Sequence, residues 1–219
     1  VSRRSYDSSR RRAAADITHA RVMTEARQLM IERGYHGATV ADIAAAAEVS
    51  VPLVYATFGN KAGLLTRLLD VAIVGDTEAL PLREREAVAA IRSAATVADQ
   101  CALMAALVTG VHGRTAALYP VLTQAAAQDP AVARMHARQE AGRREGMAEF
   151  VAALDGAGRL RPDLPVQRAV DIVWTLCDPA VYQRLVVDCH WTDELFRDWL
   201  ADALHHQLAP RGAASSPRR

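Results

Sequence analysis

The stretch from Thr39 to Lys61, TVADIAAAAEVSVPLVYATFGNK, constrains the fold more than any other part of the chain. Thr39 can cap a helix, with Asp42 three residues on as its reciprocal partner. Val40, Ile43, Ala44 and Ala47 then form one apolar stripe at helical spacing. Glu48 and Val49 make a tight turn. Ser50 can cap a second helix, and Pro52 is acceptable in its first turn. Asn60 can cap a third, which opens on Lys61. Lys61 is the only lysine against 25 arginines. An amine at a helix start is placed to meet a phosphate.

The rest of the chain is also patterned for helices, with no alternating strand pattern of useful length and no repeat of fixed period. The first helix is expected from about Ala14 to Arg33, with Ile17, Ala20, Met23, Ala26, Leu29 and Met30 on its apolar face and Gly34 as its left-handed stop. The helix after Asn60 runs towards Gly75 with Leu64, Leu65, Leu68, Leu69 and Ala72 inward. Further helices are expected at roughly 83–94, 96–111, 113–127 and 130–155, the last announced by the Asp129-Pro130 start signal. Residues 155–165 form a turn. A helix follows from about Pro165 to Leu176, Asp178-Pro179 restarts the chain, and Thr192 begins a final helix reaching about Leu208. The fold class is all-α: a three-helix N-terminal domain and a larger C-terminal helical bundle. The divisions are 1–13 as a basic flexible arm, 14–75, 76–210, and 211–219 as a disordered tail.

Composition narrows the function. Hydrophobic residues make up 51% of the chain and aromatics 5%, which favours close helix packing around alanine. No run of 18 apolar residues exists, so no spanning helix is expected, and no secretory signal is recognisable. Cys101, Cys177 and Cys189 are too few and too spread for a disulfide framework, in keeping with a cytoplasmic protein. The net charge of +1 hides an asymmetry: the first 75 residues carry ten basic and seven acidic side chains, and Arg10, Arg11 and Arg12 lie in the arm. Such a basic end suits a polyanion. The histidines show no metal-binding spacing, no catalytic constellation can be assigned, and no cofactor or enzymatic activity is expected.

Two helices joined as in residues 40–58 form a helix-turn-helix, which places its second helix in the DNA major groove. The pieces GY-x-x-x-TV-x-DIA-x-x-A-x-VS, from Gly34, and VY-x-x-F-x-NK, ending at Lys61, resemble the TetR family of transcriptional regulators. The resemblance covers Leu29 to about Leu69. It implies backbone contacts from Thr39, Tyr55, Thr57 and Lys61, and base-edge contacts from Ser50, Val51, Pro52 and Leu53. Three of those last four cannot make side-chain hydrogen bonds and suit thymine methyls and groove shape. Two departures stand out. Glu48 replaces the glycine usual at the turn, and Ala62-Gly63 replaces an acidic pair.

The resemblance further implies a homodimer on a palindromic operator, released by a small-molecule effector that the apolar candidates make hydrophobic. Pocket candidates are Leu103, Met104, Leu107, Val111, His112, Tyr119, Met147, Phe150, Trp174 and Cys177, each of which also reads as part of a filled core. Candidates for the dimer face are two stripes, Ala169, Val170 and Val173, then Phe196, Trp199, Leu200, Ala203 and Leu204; both stripes also read as ordinary core. A same-fold activator, a regulator answering to a protein, and an all-helical enzyme or lipid carrier are the alternatives.

Overall fold

The structure, a computed structural model, describes residues 3–75 and 82–210, with side chains from residue 15 onward. The described residues form helices and turns with no strand. The helices are α1 (Arg3–Gly37), α2 (Val40–Ala46), α3 (Val51–Phe58), α4 (Lys61–Val74), α5 (Glu86–Ser93), α6 (Val97–Thr115), α7 (Tyr119–Ala126), α8 (Pro130–Gly156), α9 (Val166–Leu176), α10 (Pro179–Tyr182) and α11 (Asp193–Leu208). A 3₁₀ turn at Leu82–Glu84 precedes α5, and a π-helical turn at Gln183–Asp188 follows α10. The expected C-terminal tail lies outside the described residues.

Local chemistry sets most boundaries. Gly34 breaks α1 with φ +70°, in the left-handed region that costs glycine nothing. A Cβ there would also come within 3.3 Å of Gln124 Oε1. Thr39, Ser50, Thr96, Asp178 and Thr192 each accept a backbone N–H at a helix start. Backbone helix begins at Arg3, so the residues read as a flexible arm from Arg3 onward continue α1 instead of preceding it.

The chain divides into two compact units. The first comprises residues 1–72 together with 117–136. Its core joins Val22, Met23, Ala26, Leu29 and Met30 of α1 to Ile43, Ala44, Val54 and the leucines of α4. Ile17 and Ala20, expected on that face, are exposed. Each step of three residues drifts about 60° around a helix, so Ile17 ends up about opposite Ala26. The sequence boundary near Gly75 also misses a contribution. Leu118 just before α7, Val121, Leu122 and Ala125 within it, and Val132 and Met135 at the start of α8 complete the same core.

The second unit comprises residues 73–116 and 137 onward. Here α6 and α11 pack most extensively. Phe196, Leu200, Leu204 and Leu208 of α11 meet Cys101, Met104, Ala105 and Val108 of α6, with Val151 and Leu154 of α8 and Ala169, Val170 and Val173 of α9 in one buried cluster. The expected helix over 113–127 begins later, at Tyr119, because α6 runs on to Thr115.

Glu48 tests the turn directly. Its φ is +52°, a conformation that costs a residue with a Cβ roughly 1–2 kcal/mol. Its carboxylate sits 3.3 Å from Arg21, but both side chains are exposed and the pair contributes little. E48G relieves the strain, whereas E48A loses the same ion pair and keeps it. Chemical denaturation should find E48G more stable than E48A by about 1 kcal/mol. Equal stabilities would mean that this turn is not left-handed in solution.

Candidate nucleic-acid interface

Helices α2 and α3 meet at 109°, within the range of a DNA-reading helix pair. The angle follows from packing. Ala44 and Ala47 are buried and small, so the two helices approach closely. Within α3 only Val54 is buried, at 2% exposure. Successive helix residues point about 100° apart, so anchoring Val54 turns its neighbours outward. Leu53 is 43% exposed and Tyr55 49%. Pro52, Ala56 and Thr57 are exposed as well, and Val51 and Phe58 are half-buried.

The polar groups around this helix are partly committed. Ser50 Oγ accepts from Leu53 N at 3.4 Å, which leaves its own O–H free to donate. Thr57 Oγ1 donates to Leu53 O at 2.8 Å, so its proton is held by the helix and only its lone pairs face outward. Thr39 is exposed, but its hydroxyl donates to Asp42 Oδ2 at 2.7 Å and accepts from Asp42 N at 3.1 Å. That hydroxyl bond is the main reason the Asp42 carboxyl lies below the usual carboxylate range. Asp42 and Glu48 put negative charge close to the exposed helix, partly answered by Arg33 and Arg21.

The entry into α4 explains the second departure from the family pattern. Asn60 Oδ1 accepts from Gly63 N at 2.8 Å, replacing the acidic residues as a cap. A Cβ on Gly63 would stand 2.2 Å from Phe58 O, so this close passage of two backbones requires glycine. The His19 ring covers Phe58 at 4.8 Å between centroids.

Lys61 is half-buried. Its Nζ donates to Tyr35 O at 2.8 Å and lies 4.4 Å from the centre of the Tyr35 ring. Burial lowers its pKa, opposed by the negative charge of Asp129. The Tyr35 hydroxyl donates to Asp129 Oδ2 at 3.0 Å; burial chiefly, and this carboxylate, raise its pKa. The sequence marks Asp129 as a helix start and Tyr35 as part of the family pattern, but not their contact, which joins residues 94 positions apart. The side chains of Arg10, Arg11 and Arg12 lie outside the described ones.

The residue match of the first unit is direct. Residues 22–68 match the family model for bacterial regulatory proteins of the tetR family. Residues 22–68 therefore form a helix-turn-helix domain of the tetR family.

Solved structures share the fold over most of the chain. One is the fatty acid degradation regulator FadR from Bacillus halodurans: 18% identity, TM-score 0.67, 85% of this chain and 94% of that one covered. A second is the transcriptional regulator FadR from Bacillus subtilis in complex with stearoyl-CoA: 18%, TM-score 0.66, 86% and 98%. A third, from Saccharomonospora viridis and assigned as a transcriptional regulator, is in complex with choline: 18%, TM-score 0.67, 90% and 100%. At these identities the likeness establishes the fold. Among curated proteins no significant match is found.

The pocket candidates are not all brought together. Met104, His112, Met147, Phe150 and Cys177 are buried in the second unit. Leu107, Val111 and Trp174 are half-buried there, Leu103 is exposed, and Tyr119 belongs to the first unit. Of the candidates for a dimer face, Ala169, Val170, Val173, Phe196, Leu200 and Leu204 are sealed in the core of a single chain. Only Trp199 and Ala203 reach the surface, where with Asp202, His205 and His206 they line a shallow, open depression. Val166 and Leu195, which the stripes passed over, are the large apolar side chains exposed on α9 and α11.

A polar cluster lies among the buried candidates. Arg143 donates to Trp174 O at 2.9 Å and Cys177 O at 3.3 Å, pairs with Glu140 and Asp178, and stacks 4.9 Å from the Trp174 ring. His112 Nε2 is 3.1 Å from Cys177 O. A carbonyl only accepts, so this nitrogen carries the proton and Nδ1, which is buried without a partner, is an acceptor. Burial pushes the His112 pKa down to about 4; the Cys177 carbonyl, Asp178 and Glu140 oppose the shift and Arg143 reinforces it. Histidine ordinarily titrates near 6.5, so between the two values the unfolded chain binds a proton that the folded one refuses. This contribution is fully present above about pH 6.5 and is lost as the pH falls through about 4. In urea denaturation, H112Q should flatten the loss of stability between pH 6.5 and 4, by on the order of 3 kcal/mol in total. An unchanged profile would show that His112 is already solvated.

Proposed function

We propose that this TetR-family regulator is a repressor that binds a palindromic operator as a homodimer and is released by a small molecule. The observation that carries the reading is the outward presentation of Leu53 and Tyr55 by a helix anchored through Val54. An apolar and aromatic reading surface suits thymine methyls and groove shape more than bidentate hydrogen bonding. Phosphate contacts from the Tyr55 hydroxyl, Ser50, Thr39 and the basic N-terminal turns would supply affinity without sequence preference.

A single head reads few base pairs. Two heads on one duplex require half-sites about 34–36 Å apart or a multiple of that. The exposed Val166 and Leu195, with Trp199 and Ala203, are the apolar surface from which we would build the pairing of two chains. We assign effector binding to the second unit, where Met104, Met147 and Phe150 offer apolar wall and His112 and Trp174 offer polar atoms without partners. Relatives of the same fold hold stearoyl-CoA and choline, which supports a small-molecule effector here. No single described helix is long and apolar enough to cross a membrane, and we place the protein in the cytoplasm with the DNA.

Selection from a random pool of duplexes, followed by mobility-shift titration at several salt concentrations, tests the reading. A two-fold symmetric site should emerge, with log K falling linearly in log salt. L53A should lower affinity for the selected duplex about ten-fold, within the range of a lost base-edge contact, and leave binding to unrelated duplex unchanged. Recovery of no preferred sequence, or an equal loss on both duplexes, would refute it.

A further inference from the structure

The lone lysine is held by the protein itself. Its amine meets the carbonyl of Tyr35, a residue only 2% exposed. Tyr35 follows the break at Gly34, at a helix end where carbonyls lack their usual partners. The other end of Tyr35 is equally committed: its hydroxyl reaches Asp129 Oδ2. Asp129 then does two things at once. Oδ2 receives the tyrosine, and Oδ1 accepts from Ala131 N at 2.8 Å at the start of α8. A single line of contacts therefore runs from the first residue of α4, through the end of α1, to the cap of α8.

The line starts at a sensitive place. Lys61 follows the turn that ends α3, where Gly59 has φ +74° and Gly63 passes within a forbidden Cβ distance of Phe58 O. Such a tight turn transmits the position of α4 to the C-terminal end of the reading helix.

We propose that Lys61, Tyr35 and Asp129 form a positioning relay that fixes the attitude of α3, with Lys61 working through Tyr35 and not as a phosphate ligand. The proposal rests on the DNA-binding reading above but makes its own demands. A lysine that neutralises a phosphate adds about one unit to the salt slope of binding. A lysine that positions a helix lowers affinity when removed and leaves that slope alone. A relay also couples its members, so their removals do not add.

The test uses K61Q, Y35F and the double variant of the full chain, titrated against the selected duplex at several salt concentrations. Y35F keeps the ring and loses only the hydroxyl. The relay predicts a loss of about ten-fold for each single variant, the scale of one charge-assisted or buried hydrogen bond. It also predicts an unchanged salt slope and a double variant no weaker than the weaker single one. A slope flattened by about one unit in K61Q, with Y35F binding as wild type, would overturn the proposal and leave Lys61 a simple phosphate contact. Additive losses would overturn it too. A second measurement needs no DNA: amide exchange over Val51–Leu64 should speed up in both single variants. Unchanged exchange there would overturn the relay even if the regulator reading stands. Faster exchange in a chain that selects no duplex would uphold the relay and discard only that reading.

Discussion

The burial of Val54 is the contact on which the reading surface depends. Removing one such side chain from water is worth roughly 1.5–3 kcal/mol. More importantly, as the one fully buried side chain of an eight-residue helix, flanked by the half-buried Val51 and Phe58, Val54 sets the rotation of that helix. With Val54 against the alanines of α2, Leu53 and Tyr55 cannot also turn inward. The same eight residues with Tyr55 as anchor would bury the aromatic and present a different face. The apolar character of the exposed helix therefore arises from register, and the function follows from that register.

Around this anchor the first unit is built from distant parts of the chain. Residues 117–136 close a core that residues 15–72 leave open, and Leu118 and Ala125 are fully buried in doing so. Tyr35 is the polar counterpart of this closure, buried between Lys61 and Asp129. The strained Glu48 shows the cost of the local turn: a left-handed residue that carries a side chain is tolerated where the packing on both sides over-determines it.

Much of this was legible from local chemistry. The caps at Thr39, Ser50, Asn60, Asp178 and Thr192, and the stop at Gly34, need only neighbours within a few residues, and each is formed. The inward leucines of α4 were legible for the same reason. What escaped depends on partners far along the chain. Ile17 leaves the apolar face of α1 because residues spaced in threes drift about 60° per step around the helix. The apolar stripes of α9 and α11 are equally consistent with an interface and with a core, and periodicity alone cannot separate the two; six of those eight side chains are core. The π-helical turn at Gln183–Asp188 has no local signature, and is accompanied by the bond from Gln183 to Ala116 O. In the second unit, the unpartnered nitrogens of His112 and Trp174 belong to a geometry that no spacing reveals.

The central claim is that the outer face of α3 meets DNA. Site-specific photocrosslinking tests it most directly, with benzoylphenylalanine placed at Tyr55 in one preparation and at Leu195 in another. The account predicts that the group at Tyr55 crosslinks to the selected duplex, within its symmetric half-sites, and that the group at Leu195 does not. Crosslinking from Leu195 with none from Tyr55 would contradict it.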